Sequence, residues 1–338
     1  MNKLVSVIVV TRNRSHLLRN CLFSILKSTY QPLEVFVVDN DSTDDTLSIV
    51  RSEFDSVSLI AMPKNKFLAE ARNTGMERAH GDFILFIDDD NIVSPDMVEE
   101  LVRCLDADPS AGIAGPKMYY HGTDKLLCWT GQKINKLTGH TTYRGSCEKD
   151  TGQYDMVAET EHVPNVVMIT KETYARVGRF DTSYRMSYTD ADYPERARKA
   201  GLKTLYCPTA VTHHVVPVPG SPEGKARGAS RGISMRSYYF ARNRVVFMRR
   251  HAPLLKFVIF ITVFYPLLTI YIISVMLRNG SRSDMKMHLL GTLHGYIFGI
   301  TGILLDYFKN LDPGHELFME KAGNQPPAGI RTTDGRPR

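Results

Sequence analysis

Three consecutive carboxylates, Asp88-Asp89-Asp90, close the apolar run Phe83-Ile84-Leu85-Phe86-Ile87. Side-by-side carboxylates repel one another unless a cation sits among them, and hard oxygen donors of this kind suit Mg²⁺ or Mn²⁺. Such an ion commonly carries a phosphate-bearing substrate, so the expected chemistry is metal-assisted chemistry on a nucleotide or sugar diphosphate. The bland alternative is a solvated acidic turn ahead of a helix beginning near Ser94-Pro95-Asp96. Two other apolar runs end in polar clusters: residues 5–10 pass into Thr11-Arg12-Asn13, and residues 33–38 into Asp39-Asn40-Asp41.

An element pattern that brings these clusters together is legible. Apolar runs at 5–10, 33–38, 57–61 and 83–87 alternate with amphipathic stretches at 16–27, 43–54 and 70–79, the rhythm of a parallel α/β sheet. In such sheets functional residues gather at the C-terminal ends of the strands, so the three clusters should share one crevice. No Gly-rich dinucleotide fingerprint and no P-loop is present, which disfavours hydride transfer and P-loop phosphoryl transfer. Residues 121–220 are less regular, with turns marked by Gly122, Gly131, Gly139, Gly145 and Gly152, and are expected to form a mixed sheet that receives the acceptor.

The 338 residues, 43% of them hydrophobic, are enough for a sizeable core. The N-terminal apolar run is too short for a signal peptide and reads as a first strand. The five cysteines form no Cys-x-x-Cys pair and are odd in number, so neither a disulfide framework nor a zinc site is indicated, and reduced, cytosol-facing thiols are expected. The net charge of +6 is unevenly placed: between Glu223 and Asp284 lie eleven Lys or Arg residues and no acid. A basic block beside apolar segments points to an anionic membrane surface or a pyrophosphate-bearing acceptor, not to nucleic acid, for which no binding motif is present.

Residues 257–277 carry no charge, and residues 287–305 have only His288 and His294 as ionisable groups; each run is long enough to cross a bilayer. The first contains Pro266. The second spaces Gly291, Gly295 and Gly299 four apart on one helix face, which predicts close packing of the two helices as a hairpin in lipid. The alternative is a pair lying in the membrane interface.

Further along, Asn65 precedes Ala71-Arg72-Asn73-Thr74-Gly75, and later segments read Gly178-Arg179-Phe180-Asp181, Tyr188-Thr189-Asp190-Ala191-Asp192 and Tyr206-Cys207-Pro208, ending in His213-His214. Together with the three strand-end clusters, in this order, the chain resembles the inverting, nucleotide-sugar-dependent glycosyltransferases of family two, over about residues 4–250. Gly115-Pro116-Lys117, Trp129-Thr130-Gly131 and Thr138-Gly139 look most like its rhamnosyltransferase-type subgroup. The resemblance implies an α/β GT-A fold, Rossmann-like with a mostly parallel sheet, as a catalytic domain over 1–250. Its nucleotide-binding half would be 1–120, its acceptor half 121–230, and a basic juxtamembrane helix would cover 231–256. The apolar helical hairpin would fill 257–308 and an exposed tail 309–338.

The resemblance also implies roles. Thr11, Asn13, Asp39, Arg72 and Asp88 would hold the nucleotide diphosphate, with Asp39 accepting from the base; an Asx turn is the alternative for Asp39, and a surface ion pair for Arg72. Asp90 and Asp88 match the metal motif for Mn²⁺ or Mg²⁺, with His214, or else His213, completing the coordination or serving only as structure. Asp190 matches the general base. Trp129, Asp192 and Arg242 are weaker candidates for acceptor or diphosphate, against core packing, pairing with Arg196 and contact with lipid headgroups respectively. Asp181 is a further nearby acid. The chain departs from the family pattern at Thr189, where Glu is usual, and at Pro164-Asn165, where a small Gly-containing turn is common. The expected partners are a nucleotide-diphosphate sugar, a lipid-linked or membrane-proximal glycan and membrane lipid, with the catalytic domain on the cytoplasmic side of the cell membrane. A polyprenyl-phosphate glycosyltransferase and a non-catalytic sugar-nucleotide-binding scaffold are the competing readings.

Overall fold

A computed structural model describes residues 2–163, 165–223, 234–278 and 282–309. Pro164 and the tail expected beyond residue 309 lie outside them. Four strands, β1 (Val5–Thr11), β2 (Leu33–Asp39), β3 (Val57–Ala61) and β4 (Phe83–Asp88), pair in parallel in the order β3-β2-β1-β4. The helices between them are α1 (Ser15–Ile25), α2 (Thr46–Glu53) and α3 (Phe67–Met76). Side chains of these strands alternate between two cores. Val5, Val7, Val9, Leu85 and Ile87 face the layer holding α1 and α2, while Ile8, Val38, Ile84 and Phe86 face α3. Burial on both faces explains why the strands read as nearly continuous apolar runs. Direction reverses at β1, the topological switch point where such sheets bind ligands.

Beyond β4 the sheet becomes mixed. After β5 (Asn91–Val93) and α4 (Met97–Ala107) come β6 (Ala111–Tyr120), β7 (Leu127–Trp129), the small pair β8 (Gln132–Ile134) and β9 (Thr141–Tyr143), β10 (Ala158–Glu159) and β11 (Val166–Thr170). The strand β11 inserts antiparallel between β4 and β6. Next follow α5 (Lys171–Val177), a 3₁₀ turn at Thr182–Tyr184, α6 (Thr189–Lys199) and β12 (Lys203–His214). The last strand runs parallel to β6 and antiparallel to β5, with a register shift between Cys207 and Val211. The expected α/β architecture, with a mixed sheet after residue 120, is present.

One expectation about cysteine is corrected. Cys104 of α4 and Cys207 of β12 form a disulfide, with Cα atoms 6.4 Å apart; Cys21, Cys128 and Cys147 are free. The pair is 103 residues apart in sequence and meets only because α4 lies on β12, so no spacing rule marks it.

The C-terminal region holds a second correction. After α7 (Ser234–His251), the stretch Leu254–Arg278 is one long helix: α8 (Leu254–Ile259), a π-helical turn at Phe260–Phe264 and α9 (Tyr265–Arg278). The π turn precedes Pro266, which has no N–H to give and whose ring crowds the carbonyl four residues back, so the helix widens there. Its 25 residues extend about 37 Å, and among the described residues it is the one helix long and apolar enough to cross a membrane. The other apolar run does not form the second arm of a hairpin. Helix α10 (Arg282–Thr301) ends before Gly302, which lies at φ +76°, so its apolar part, 287–301, spans about 22 Å against the ~30 Å of a bilayer core. Its glycine face meets α7: a Cβ on Gly291 would collide with the Tyr238 carbonyl, and one on Gly295 would sit 3.0 Å from Val245 Cγ2. Gly299 alone faces the first apolar helix, at Ile261 and Phe257, as well as Val245.

Candidate active site

In-register pairing sets the ends of β1, β2 and β4 side by side: Thr11 lies opposite Asp39, and Val10 opposite Asp88. Asp39 is 1% exposed. Its Oδ2 accepts from the Ser42 backbone N–H at 3.1 Å, the Asx turn foreseen as its alternative role, while Oδ1 is buried with no hydrogen-bond partner. A buried carboxylate oxygen left idle is costly, and here it is an acceptor aimed from a strand end. Thr11 Oγ1 donates to Asp89 Oδ2 at 2.8 Å. Asn13, at φ +52°, accepts from Thr43 N–H at 2.6 Å and gives its own N–H to Ser42 Oγ at 2.9 Å. Both side chains therefore brace the crevice walls in this structure.

Arg72 organises the centre. It is fully buried, lies 5.7 Å from the Phe86 ring and 5.5 Å from that of Phe180, and joins two carboxylates. Its Nη2 is 2.8 Å from Asp88 Oδ1, and its Nη1 donates to Asp190. The surface ion pair weighed for Arg72 is thus replaced by a buried bridge between the end of β4 and the start of α6. Burial pushes Asp88 up to about 6 against the opposing pull of Arg72, with Asp190 and Asp90 adding to the rise. Burial likewise lifts Asp89 to about 6, opposed by Arg14, whose Nη1 lies 3.1 Å from Asp89 and 3.3 Å from Asp90.

Pairing of β5 with β12 aligns His214 with Asn91 and places His214 Nε2 at 3.3 Å from Asp90 Oδ1. His213 points the other way, into a ring cluster with Tyr119 and His121. Burial and His121 push its pKa down. Of the two histidines, only His214 joins the carboxylates. Around it stand Asn165 Nδ2 at 3.2 Å, Cys128 Sγ at 3.7 Å from Nδ1, and the Trp129 ring at 5.7 Å. Trp129 Nε1 is buried without a partner. Asn165 adopts φ +68°, a conformation that asparagine tolerates better than most residues, which accounts for its presence where the family pattern has a Gly-containing turn.

Asp190 sits in the first turn of α6, after a loop in which Arg185, Ser187 and Tyr188 all have positive φ. A buried clamp on α7 holds that loop. Asn243 Nδ2 donates to the carbonyls of Tyr184 at 2.8 Å and Met186 at 2.6 Å, and Arg242 Nη2 donates to that of Ser183 at 2.6 Å. Arg242 is fully buried and also bonds Asn243 Oδ1 and the Leu305 carbonyl. It joins α7 to the loop before α6 and to the segment after α10, where Asp306 also lies 3.5 Å from its Nη1. Asp192 is 2% exposed and bound to His251 Nε2 and Arg196 Nε, both at 2.8 Å. Burial raises its pKa, but these two partners hold it lower than usual, and the pairing with Arg196 weighed as its alternative is present. Asp181 pairs with Arg250 at 2.7 Å.

The sequence reading gave no role to Arg14 or Cys128 and took Asp89 only as one of the three carboxylates; for Arg14 the doubled arginine of Thr11-Arg12-Asn13-Arg14 at a strand end was a usable signal. The residues present fit a divalent cation. Asp90 oxygen and His214 nitrogen converge, Asp88 lies buried with Asp90 and Asp190 as like charges beside it, and the nearby Asn91 Oδ1 is buried without a partner. Glu161, His162 and Glu195 also lie close together, but Lys136 and Arg198 already pair with Glu195.

Residues 6–158 match the family model of glycosyl transferase family 2. The dTDP-rhamnosyl transferase RfbF of Shigella flexneri is 28% identical over 315 residues, covering 89% of this chain and 98% of that one. A shorter match, 40% identical over 90 residues, joins 26% of this chain to 36% of the UDP-Glc:alpha-D-GlcNAc-diphosphoundecaprenol beta-1,3-glucosyltransferase WfgD of Escherichia coli. Among solved structures, a mannosyltransferase from Pyrobaculum calidifontis in complex with GDP-Man and Mn²⁺ aligns at TM-score 0.51 and 18% identity, over 89% of this chain and 88% of that one. GalNAc-T7 with UDP, GalNAc and Mn²⁺ aligns at TM-score 0.53 and 14% identity, over 72% and 51%. At such identities these two speak to the fold alone. Residues 6–158 are thus a glycosyl transferase family 2 domain, and the chain that carries them is a glycosyltransferase with a GT-A-type fold.

Proposed function

We propose that the chain transfers a sugar, with inversion, from a nucleotide diphosphate to a hydroxyl of a lipid-linked glycan at a membrane surface. The observation that carries this reading is the Arg72 bridge, which holds Asp190 of the acceptor side within one guanidinium of Asp88 on the donor side. The idle Asp39 Oδ1 takes an N–H from the base. Asp90, Asp88 and His214 would hold Mn²⁺ or Mg²⁺, which supplies positive charge to the departing diphosphate. Asp190 accepts the proton of the acceptor hydroxyl as its oxygen bonds to the anomeric carbon; the bond from that carbon to the diphosphate oxygen breaks, and its electron pair leaves with the nucleotide. One base and one leaving group on opposite faces of the sugar require no covalent sugar intermediate. Arg72 keeps Asp190 oriented between turnovers.

The acceptor assignment draws on WfgD, whose name specifies a diphosphoundecaprenol-linked acceptor, and on the apolar helix at 254–278, which exposes Leu254, Leu255, Val258, Leu267 and Ile270. The test is nucleotide release by the detergent-purified chain offered UDP-, GDP- and dTDP-sugars, with Mn²⁺, Mg²⁺ or EDTA, and with or without membrane lipid extract. Release from one donor that requires both cation and lipid is expected. No binding and no release across the panel would sink the proposal.

A further inference from the structure

One hairpin, the pair β8–β9, joins the carboxylate crevice to the apolar helix. Asn135 Oδ1 closes its turn by accepting from the N–H groups of Leu137 at 2.8 Å and Thr138 at 3.1 Å. At Gly139, φ +67°, a Cβ would lie 2.6 Å from Phe260 Cε2, so the turn rests against the π-helical stretch of the candidate membrane helix. Lys136 ties the same turn to Glu195 of α6, the helix that carries Asp190. At the other end of the hairpin, Thr130 N–H donates to the Arg144 carbonyl at 2.9 Å and Arg144 N–H to that of Gly131 at 3.0 Å. These bonds bring Tyr143 beside Trp129, ring centroids 5.6 Å apart and planes 34° from parallel. The Trp129 ring lies 5.7 Å from that of His214, which faces Asp90. Tyr143 is 47% exposed, and its phenol pKa is raised by burial and then by the charges of Tyr188 and Asp190, against the pull of Arg236. The pair thus runs from the metal-ligand histidine towards the proposed base. Trp129 is half-buried, and its Nε1 has no acceptor among the described residues, whereas an indole packed as core normally finds one.

We propose that Trp129 and Tyr143 form the acceptor subsite, a stacking surface for the terminal pyranose ring of the acceptor glycan, with Tyr143 as its specificity-determining residue; the inference rests on the transferase reading given above. The C–H face of a pyranose is apolar and slightly positive, and it lies well on the negative face of an aromatic ring. An open-chain polyol has no such face. Stacking fixes the plane of the acceptor ring, and Asp190 takes the hydroxyl that this plane brings to it. The surface stands on the acceptor side of the crevice, since Asp39, proposed for the base of the nucleotide, lies at the end of β2. A glycan whose lipid lies beside the apolar helix reaches the two rings along the hairpin that touches Phe260.

Trp129 is the only tryptophan of the chain, so selectively excited indole emission reports this surface directly. The experiment is fluorescence titration of the full chain in neutral detergent, with the donor site already saturated by nucleoside diphosphate and Mn²⁺. The probes are the methyl glycosides of glucose, N-acetylglucosamine, galactose and rhamnose, with sorbitol as the open-chain control. At least one glycoside should change the emission saturably, and sorbitol should not. Tyr143→Ala should weaken that glycoside by ~5-fold or more, while Tyr143→Phe, which keeps the ring, stays within ~2-fold of wild type. Nucleotide binding, measured in parallel, should be at the wild-type level in both variants and reports that they fold. Repeating the titration with UDP-, GDP- or dTDP-sugar in place of the diphosphate separates the two sugar positions, because a glycoside displaced by a nucleotide sugar occupies the donor's place. That displacement overturns the proposal, as would an equal response to sorbitol, no saturable response to any glycoside, unchanged affinity in Tyr143→Ala or an equal loss in Tyr143→Phe. The readout is binding and not turnover. A silent donor panel with a saturable, Tyr143-dependent response would count against the transferase reading alone, and turnover with an unresponsive Trp129 against this inference alone.

Discussion

Asn243 does not touch the carboxylate cluster, yet its removal should slow the chemical step. Its amide nitrogen satisfies the carbonyls of Tyr184 and Met186, with a longer contact of 3.4 Å to Ser187, and three residues of that loop, Arg185, Ser187 and Tyr188, sit at positive φ. Each left-handed non-glycine residue costs of order 1–3 kcal/mol. Each buried carbonyl that loses its donor forfeits a further ~1–3 kcal/mol. In Asn243→Ala the clamp no longer offsets the loop strain, so the loop relaxes and Asp190, two residues beyond Tyr188, leaves its bond to Arg72. A displacement of about 1 Å at a reacting group costs up to ~100-fold in rate. The expected result is a kcat lowered by ~10- to 100-fold with a donor KM within ~3-fold of wild type, because Asp39, proposed to take the base, lies on β2 and makes no contact with this loop. Asn243→Ser, which keeps one donor, should fall between. Steady-state nucleotide release at saturating acceptor provides the assay, with thermal unfolding in parallel. A kcat within ~3-fold of wild type in a folded Asn243→Ala protein would refute the reasoning, as would equal losses in kcat, donor affinity and stability, which are the signature of a merely structural residue.

Three further outcomes are expected. Gly291→Ala forces a methyl group into the Tyr238 carbonyl and should cost ~1–3 kcal/mol, seen as a lower unfolding temperature in detergent; no change would mean that α10 and α7 are not in contact there. Asp39→Asn turns the idle acceptor towards donor character and should weaken nucleotide binding by ~10- to 100-fold on calorimetry, with unaltered binding removing Asp39 from base recognition. Asp150 is raised by burial but lowered more by Lys117, Tyr119 and the Gly152 N–H, to about 2 from an ordinary 3.8. A depressed carboxylate stabilises the fold above its unfolded-state value and loses that contribution as the pH falls towards the folded one, so stability should decline between 3.8 and about 2. Denaturant midpoints across that window should fall less steeply in Asp150→Asn.

The parallel half of the fold was legible because its signals are local. Apolar runs, their polar ends and the helices between them need only neighbouring residues to be recognised, and the ends of β1, β2 and β4 converge as that pattern requires. Less legible were features that depend on distant partners. The Cys104–Cys207 disulfide reflects α4 lying on β12, and Arg14 becomes a neighbour of Asp89 only through β1 and β4 pairing. The glycines of α10 gave a correct sign of close helix approach but not the partner's identity, since a small-residue face fits α7 as readily as an apolar helix. For Arg242 the sequence shows the charge but not the carbonyls of Ser183 and Leu305 that its guanidinium meets.

The shift in β12 decides which imidazole stands beside Asp90. Before it, Leu205 and Cys207 face the core beneath α4; after it, Ala210 does, and His214 lies on the side of Cys128. Odd-numbered residues thus give way to even-numbered ones across Pro208 and Thr209. Had alternation simply continued from Cys207, His213 would occupy the place that His214 holds, because a one-residue slip exchanges the faces of a strand. Which histidine faces Asp90 is therefore a matter of parity. Deleting one residue from this bulge would swap the two histidines while leaving both in the chain. Matching relatives by counting back from the histidine pair is only as sound as the number of residues in that bulge.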